Sequence, residues 1–193
     1  MKRIILASNS PRKKQILSKL ELPFEVIDSG YEEDMKAKQD PLELAKFLSF
    51  GKAQDVAKTV TGDALVIGAD TFVSLNGKFF GKPKSHEDAR AMLQSLSGRT
   101  HDIITGVAII DTGTQKVINE AIVSKITLRE ISPEEIESYI QTGEPMDKAG
   151  AYAIQEKGAI FVSHIEGDFF TIMGLPLYFV SQKLKELGVN LFE

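Results

Sequence analysis

Ala64-Leu65-Val66-Ile67-Gly68-Ala69-Asp70-Thr71-Phe72-Val73-Ser74-Leu75-Asn76-Gly77-Lys78-Phe79-Phe80 is the stretch on which the fold turns. Residues 64–75 form a nearly continuous apolar run, the pattern of a strand covered on both faces. Asn76-Gly77 suits a type I′ turn, so residues 78–80 are expected to return as an antiparallel partner. A doubly covered strand with a hairpin on it predicts a mixed sheet flanked by helices, an α/β fold with antiparallel insertions.

Working outward, residues 4–7 form a short apolar strand, and further strands are expected at 24–27, 102–110, 117–128 and 159–165. Helix starts are marked by Asp40-Pro41 with Glu43, Ser85 with Asp88, and Ser132-Pro133 with Glu135. Each places a capping side chain three residues before an acid, predicting helices near 41–59, 86–96 and 133–142. Leu177, Val180, Leu184 and Leu187 recur at helical spacing between Pro176 and Gly188 and predict a terminal packing helix.

Composition narrows the classes. A chain of 193 residues with 42% apolar content can bury a sizeable core, and no linker or repeat divides it, so a single domain over 1–193 is expected. A net charge of −4 argues against attachment to nucleic acid or to an anionic membrane, both of which need a dominant positive field. The absence of cysteine excludes disulfides, thiolate metal sites and a cysteine nucleophile. No apolar run reaches membrane-spanning length, so a soluble, cytoplasmic protein is expected.

Asp70 is the residue that composition does not explain. A carboxylate in an otherwise apolar strand is costly unless it meets a cation, a metal or a cleft, and it reads either as a paired structural acid or as a general base or metal ligand. Gly68, on the same strand face, would admit a ligand or neighbouring backbone. Ser10 suits an N-cap and Pro11 the first helical position, so Ser10-Pro11-Arg12-Lys13-Lys14 places three cations in the first turn of a helix, where the helix field already favours anions; the chemistry fits a phosphate, and the ordinary alternative is long side chains splayed into water. Lys82, between Gly81 and Pro83, can project from a stiff turn, and Gly51 inside the second helix, beside Lys52, signals a close approach. Glu32, Glu33 and Asp34 form an acidic cluster in which one member could ligate a divalent ion or all could simply be solvated. Residues 144–155 combine small residues with Lys148 and Gln155 in a loop or short helix. His86, His101 and His164 lack metal-ligand spacing, and the Gly-x-Ser-x-Gly, Gly-x-Gly-x-x-Gly and Walker patterns are absent.

Taken together, Ser8-Asn9-Ser10-Pro11-Arg12, Gly68-Ala69-Asp70-Thr71, Gly81-Lys82-Pro83, Leu96-Ser97-Gly98-Arg99 and Asp147 to Gln155 closely resemble the Maf family of nucleoside triphosphate pyrophosphatases, over nearly the whole chain. The resemblance implies an α/β fold related to the inosine triphosphatase-like enzymes, a twisted mixed sheet flanked by helices in two lobes with a cleft. It further implies hydrolysis of a nucleoside triphosphate to the monophosphate and pyrophosphate, aided by Mg²⁺ or Mn²⁺. Asp70 matches the family's proton acceptor; Ser8, Arg12, Lys13, Lys52 and Lys82 match its phosphate-binding positions, and Glu33 and Lys148 further site positions. Asp70 and Glu33 are the candidate metal ligands, read from the buried acid and from the acidic cluster.

One position departs from the pattern. The family commonly has two arginines after Ser-Pro, whereas Lys13 here keeps the charge but loses the planar bidentate fork. Arg12, Thr71 and Gln155 resemble the branch acting on dTTP and UTP; the branch acting on 7-methyl-GTP tends to have Trp, Gln and Glu. A carboxamide at 155 offers both a donor and an acceptor to the imide edge of uracil or thymine. Modified pyrimidine nucleotides would fit the same description, and a homodimer is one admissible assembly. The competing expectation is a nucleotide-binding regulator of cell division or septum formation without significant hydrolysis. Arg12, Lys13 and Lys14 would also admit a nucleic-acid module, but no interleaved aromatic and basic face accompanies them, and no stable nucleic-acid binding is expected.

Overall fold

The computed structural model describes residues 2–35 and 37–192. In chain order the elements are β1 (Arg3–Leu6), α1 (Pro11–Leu17), β2 (Glu25–Val26), α2 (Pro41–Ala57), β3 (Ala64–Leu75), β4 (Lys78–Phe80), α3 (His86–Leu96), β5 (Thr100–Asp111), β6 (Val117–Leu128), α4 (Pro133–Ile140), β7 (Val162–Glu166), α5 (Phe169–Met173) and α6 (Leu177–Glu186). Three-ten turns cover Ser18–Leu20, Glu144–Asp147, Ala149–Ala151 and Lys157–Phe161. The strands form one seven-stranded sheet in the order β2-β1-β3-β5-β6-β7, with β4 on β3. β1 pairs in parallel with β2 and β3, whereas β4 and β7 pair antiparallel with β3 and β6, so the sheet is mixed.

The hairpin after β3 has both turn residues left-handed, Asn76 at φ 51° and Gly77 at φ 77°, as the type I′ reading requires. The three marked helix starts are also present. Asp40 accepts from the amides of Leu42 and Glu43, Ser85 accepts from Asp88, and Ser132 and Glu135 complete a reciprocal capping box. Two expectations need correction. The strand expected at 24–27 is confined to Glu25–Val26, and the one at 159–165 begins at Val162, because residues 157–161 turn as a three-ten helix.

The chain divides into two compact units whose boundaries fall within β3, β5 and β6 and at Phe169/Phe170. The first comprises the chain up to Asp70, Thr105–Ile122 and the part from Phe170 onward. Its core includes Ile5, Ala7, Ala53, Val56, Ala64, Val66, Ala108 and Ile110, a layer of α2 on the sheet. Small residues let that helix sit close: a Cβ at Gly68 would meet the Ser49 carbonyl at 2.4 Å, and one at Gly106 the Ala45 carbonyl at 1.9 Å. The neighbour that Gly68 admits is therefore helix backbone. In the same unit α6 buries Val180 and Leu184 and ends before Gly188 at φ 87°.

The second unit comprises Thr71–Ile104 and Val123–Phe169. Here α3 packs on α4, and Arg90 reaches Glu137 across them at 2.6 Å. No helix among the described residues is long and apolar enough to cross a membrane.

Candidate active site

Parallel pairing of β1 and β3 aligns Leu6 with Ile67, and the Ala7 amide bonds the Ile67 carbonyl at 2.8 Å. Beyond that point β1 gives way to the loop leading into α1, while β3 runs on through Asp70. Asp70 thus lies at the carboxyl ends of parallel strands, the usual ligand edge of an α/β sheet. It is buried, with only 6% of its surface exposed. Its charge is met by Lys52 of α2, whose ammonium donates to Asp70 Oδ1 and, at 2.6 Å, to Glu33 Oε1. The structural and chemical readings of Asp70 are thus combined in one cluster: a buried acid with a fixed lysine, beside a second carboxylate.

The segment carrying Glu33 is held by contacts that sequence reasoning missed. The Gly30 amide donates to Asp55 at 2.9 Å, and the Tyr31 ring lies over Gly51, where a Cβ would come within 2.3 Å of it. Tyr31 also meets the edge of Phe47 at 6.4 Å between centroids. The glycine inside α2 was the available signal; it marks the seat of an aromatic ring.

Lys13 joins this group electrostatically. Burial is the main cause that pushes its ammonium down to about 8, assisted by the positive charges of Lys52 and Arg12 and opposed by Asp70 and Glu33. Lys52 goes the other way: burial alone would lower it, but Asp70 and Glu33 hold its proton more tightly than in water. Arg12 is half-buried on the first turn of α1. Ser10 occupies the N-cap position, but its side chain makes no capping bond; its own amide donates to Ser8 Oγ at 3.2 Å. The expected serine cap is corrected accordingly: the helix starts on Pro11 geometry and on the Ser10 carbonyl, which accepts from Lys14 at 3.1 Å.

The remaining expected site residues belong to the second unit. Thr71 follows Asp70 on β3 and is half-buried. Lys82 is exposed on the turn after β4, and the Gly81 carbonyl accepts from the Gly150 amide at 3.0 Å, tying that turn to the segment bearing Lys148. Lys148 is only 6% exposed; its ammonium meets Asp147, and Glu156 at 3.4 Å. Gln155 is exposed three residues beyond Tyr152. Sequence reasoning gave no individual role to three residues here, His101, Tyr152 and Glu144.

Donor chemistry at Asp70 and Glu33 suits a hard divalent ion. Among the described residues no group of three His, Cys, Asp or Glu side chains could hold a metal by itself. Two carboxylates converging on one ammonium do fit Mg²⁺ or Mn²⁺, which commonly take one or two carboxylates and complete their shell with water and substrate phosphate.

A family model described as "Maf-like protein" matches residues 3–187. The chain belongs to this family. Among curated Maf relatives, a protein of Alkaliphilus metalliredigens named dTTP/UTP pyrophosphatase is 45% identical over 99% of this chain and 100% of its own. One of the same name from Alkaliphilus oremlandii is 49% identical over 92% of each. The solved structure of a HAM1 protein from Coxiella burnetii matches with a TM-score of 0.51 at 18% identity, covering 96% of this chain and 100% of that one. The last is a likeness of fold alone, and it agrees with the mixed α/β sheet of the Maf chain.

Proposed function

We propose that this protein hydrolyses dTTP and UTP, together with modified pyrimidine nucleoside triphosphates, to the monophosphate and pyrophosphate. The observation that carries the reading is the buried Asp70, fixed by Lys52 beside Glu33 and within the field of Lys13. Support for the substrate comes from full-length relatives named dTTP/UTP pyrophosphatase at up to 49% identity. Arg12, Thr71 and Gln155 are the residues we assign to pyrimidine preference.

A carboxylate is a weak base toward free water, so Asp70 must act from a fixed position on a water aligned with the α-phosphorus. Lys52 supplies that position by holding Asp70 Oδ1, and Oδ2 is the oxygen we assign as proton acceptor. Arg12, Lys13, Lys82 and Lys148 are assigned to the negative charge that grows on the departing pyrophosphate, and Ser8 to a phosphate oxygen. Asp70 and Glu33 would hold a divalent ion, which when bound supplies charge neutralisation and a more acidic water. The same reading makes the protein a cytoplasmic enzyme without stable nucleic-acid attachment, with a homodimer as the assembly to test by sedimentation.

The test is product identification after incubating the protein with UTP, dTTP and other nucleotides in Mg²⁺ or Mn²⁺. Monophosphate plus pyrophosphate is expected; diphosphate plus orthophosphate overturns the reading. Asp70→Asn is expected to fold and bind UTP while pyrophosphate release falls by about 10²–10⁴-fold, the usual worth of a positioned proton acceptor.

A further inference from the structure

The segment from Glu144 to Gly158 carries Lys148 and Gln155, and it is closed at its base by one side chain. Glu144 accepts from the Tyr139 hydroxyl at 2.7 Å and from the amides of Lys157 and Gly158 at 3.0 and 2.9 Å. At its middle the backbone takes two consecutive left-handed residues, Gly150 at φ 72° and Ala151 at φ 64°. A non-glycine residue in that region persists only where its surroundings over-determine it. Ala151 is fully buried, and the Gly150 amide is spent on the Gly81 carbonyl next to Lys82.

The group that fixes this strained turn is the next residue. Tyr152 resumes an extended backbone and sends its hydroxyl to His101 Nε2 at 2.7 Å, with the rings edge to face at 5.7 Å between centroids. His101 and Tyr152 are 2% and 6% exposed. Among the described residues the other ring nitrogen of His101 meets no partner in hydrogen-bonding geometry, feeling only the Arg99 backbone, so Tyr152 is the side-chain contact that the buried imidazole serves. A purely space-filling pair would need neither the hydroxyl nor the imidazole.

We propose that the His101–Tyr152 hydrogen bond is a tether from β5 that holds the 148–152 turn in register, so that both are positioning residues for Lys148 and, through the Gly150–Gly81 bond, for Lys82. The assignment of those lysines to the triphosphate rests on the function proposed above; the tether itself does not. Neither His101 nor Tyr152 touches substrate in this scheme.

Tyr152→Phe keeps the ring and removes the tether. Amide hydrogen exchange at residues 148–152 is expected to accelerate by roughly tenfold, with the β3 and β5 amides unchanged. KM for UTP is expected to rise roughly five- to tenfold while kcat moves less than about twofold. In a Lys148→Ala background the same substitution is expected to raise KM by clearly less, because one of the two positioned groups is already gone. His101→Leu, which removes the tether from the strand side, is expected to repeat the pattern. Unaltered exchange in both variants overturns the tether, and a KM effect that persists undiminished in Lys148→Ala overturns its positioning role. Wild-type protein that releases no pyrophosphate overturns the function proposed above, while the exchange measurement still decides the tether.

Discussion

At the scale of single residues, two lysines near Asp70 show how placement decides charge. Lys52 pairs with two carboxylates and is held protonated, whereas half-buried Lys13 loses more to desolvation than Asp70 and Glu33 return, and it shares its surroundings with two other cations. With its proton held only to about pH 8, Lys13 is charged below that value and progressively neutral above it. If Lys13 meets phosphate, kcat/KM for UTP falls as pH rises through about 8, because the free enzyme loses a cation. Lys13→Arg is expected to abolish this alkaline limb, since a guanidinium stays protonated far above that range. A pH profile of both proteins checks it; an identical limb in the arginine variant removes Lys13 from the phosphate contacts. The substitution also restores the residue the family commonly carries, so turnover at neutral pH should survive.

At the scale of elements, α2 is the part on which the first unit's chemistry depends, because it carries Lys52 and seats Tyr31. Its start was legible because a cap is a local event, written in Asp40, Pro41 and Glu43 alone. Its seat on the sheet was not, since Gly68 announces a close approach without naming the neighbour. The strand expected at 159–161 failed for a related reason: the Gly158 amide is committed to Glu144, and the chain wraps round that contact before it can extend. Local apolar pattern lost there to a bond made fourteen residues back along the chain. Gly68→Ala tests the seat. Its Cβ would lie 2.4 Å from the Ser49 carbonyl and 2.6 Å from the Ala53 amide, both backbone atoms of a helix that cannot yield locally. The expected cost is about 1–3 kcal/mol of unfolding free energy by urea denaturation. Pyrophosphate release should fall as well, because the displaced helix takes Lys52 with it; an unchanged denaturation midpoint removes the helix seat as the reason for this glycine.

At the scale of the whole molecule, the charges that matter are local. A chain of net charge −4 still sets Lys13 within the field of Asp70, Lys52 and Arg12, and this grouping was legible only through the resemblance, since Lys52 and Asp70 lie in different elements. Composition was silent on the two-unit division, of which the two lobes implied by the resemblance gave the sign, because three of its boundaries fall inside β3, β5 and β6, where no linker composition could mark them. The buried imidazole of the second unit was equally silent, yet it imprints a signature on the stability of the protein. Burial pushes His101 down to about 4 against a weaker opposing pull from the Arg99 backbone. The unfolded chain therefore takes up this proton near the ordinary value of 6.5, before the folded protein does. Stability is complete above about pH 6.5, declines as pH falls from there to about 4, and loses nothing further from this group below that point. The expected loss is about 3 kcal/mol. Glu135, held down to about 2 by Arg129, gives up its contribution only at lower pH, beneath its ordinary 4.5, so the upper part of the window belongs to the histidine. Urea unfolding of wild type and His101→Gln at pH 7, 5.5 and 4 separates the two. The variant is expected to start less stable at pH 7 and to lose correspondingly less on acidification, the curves converging toward pH 4; parallel curves would place a protonated imidazole in the folded protein.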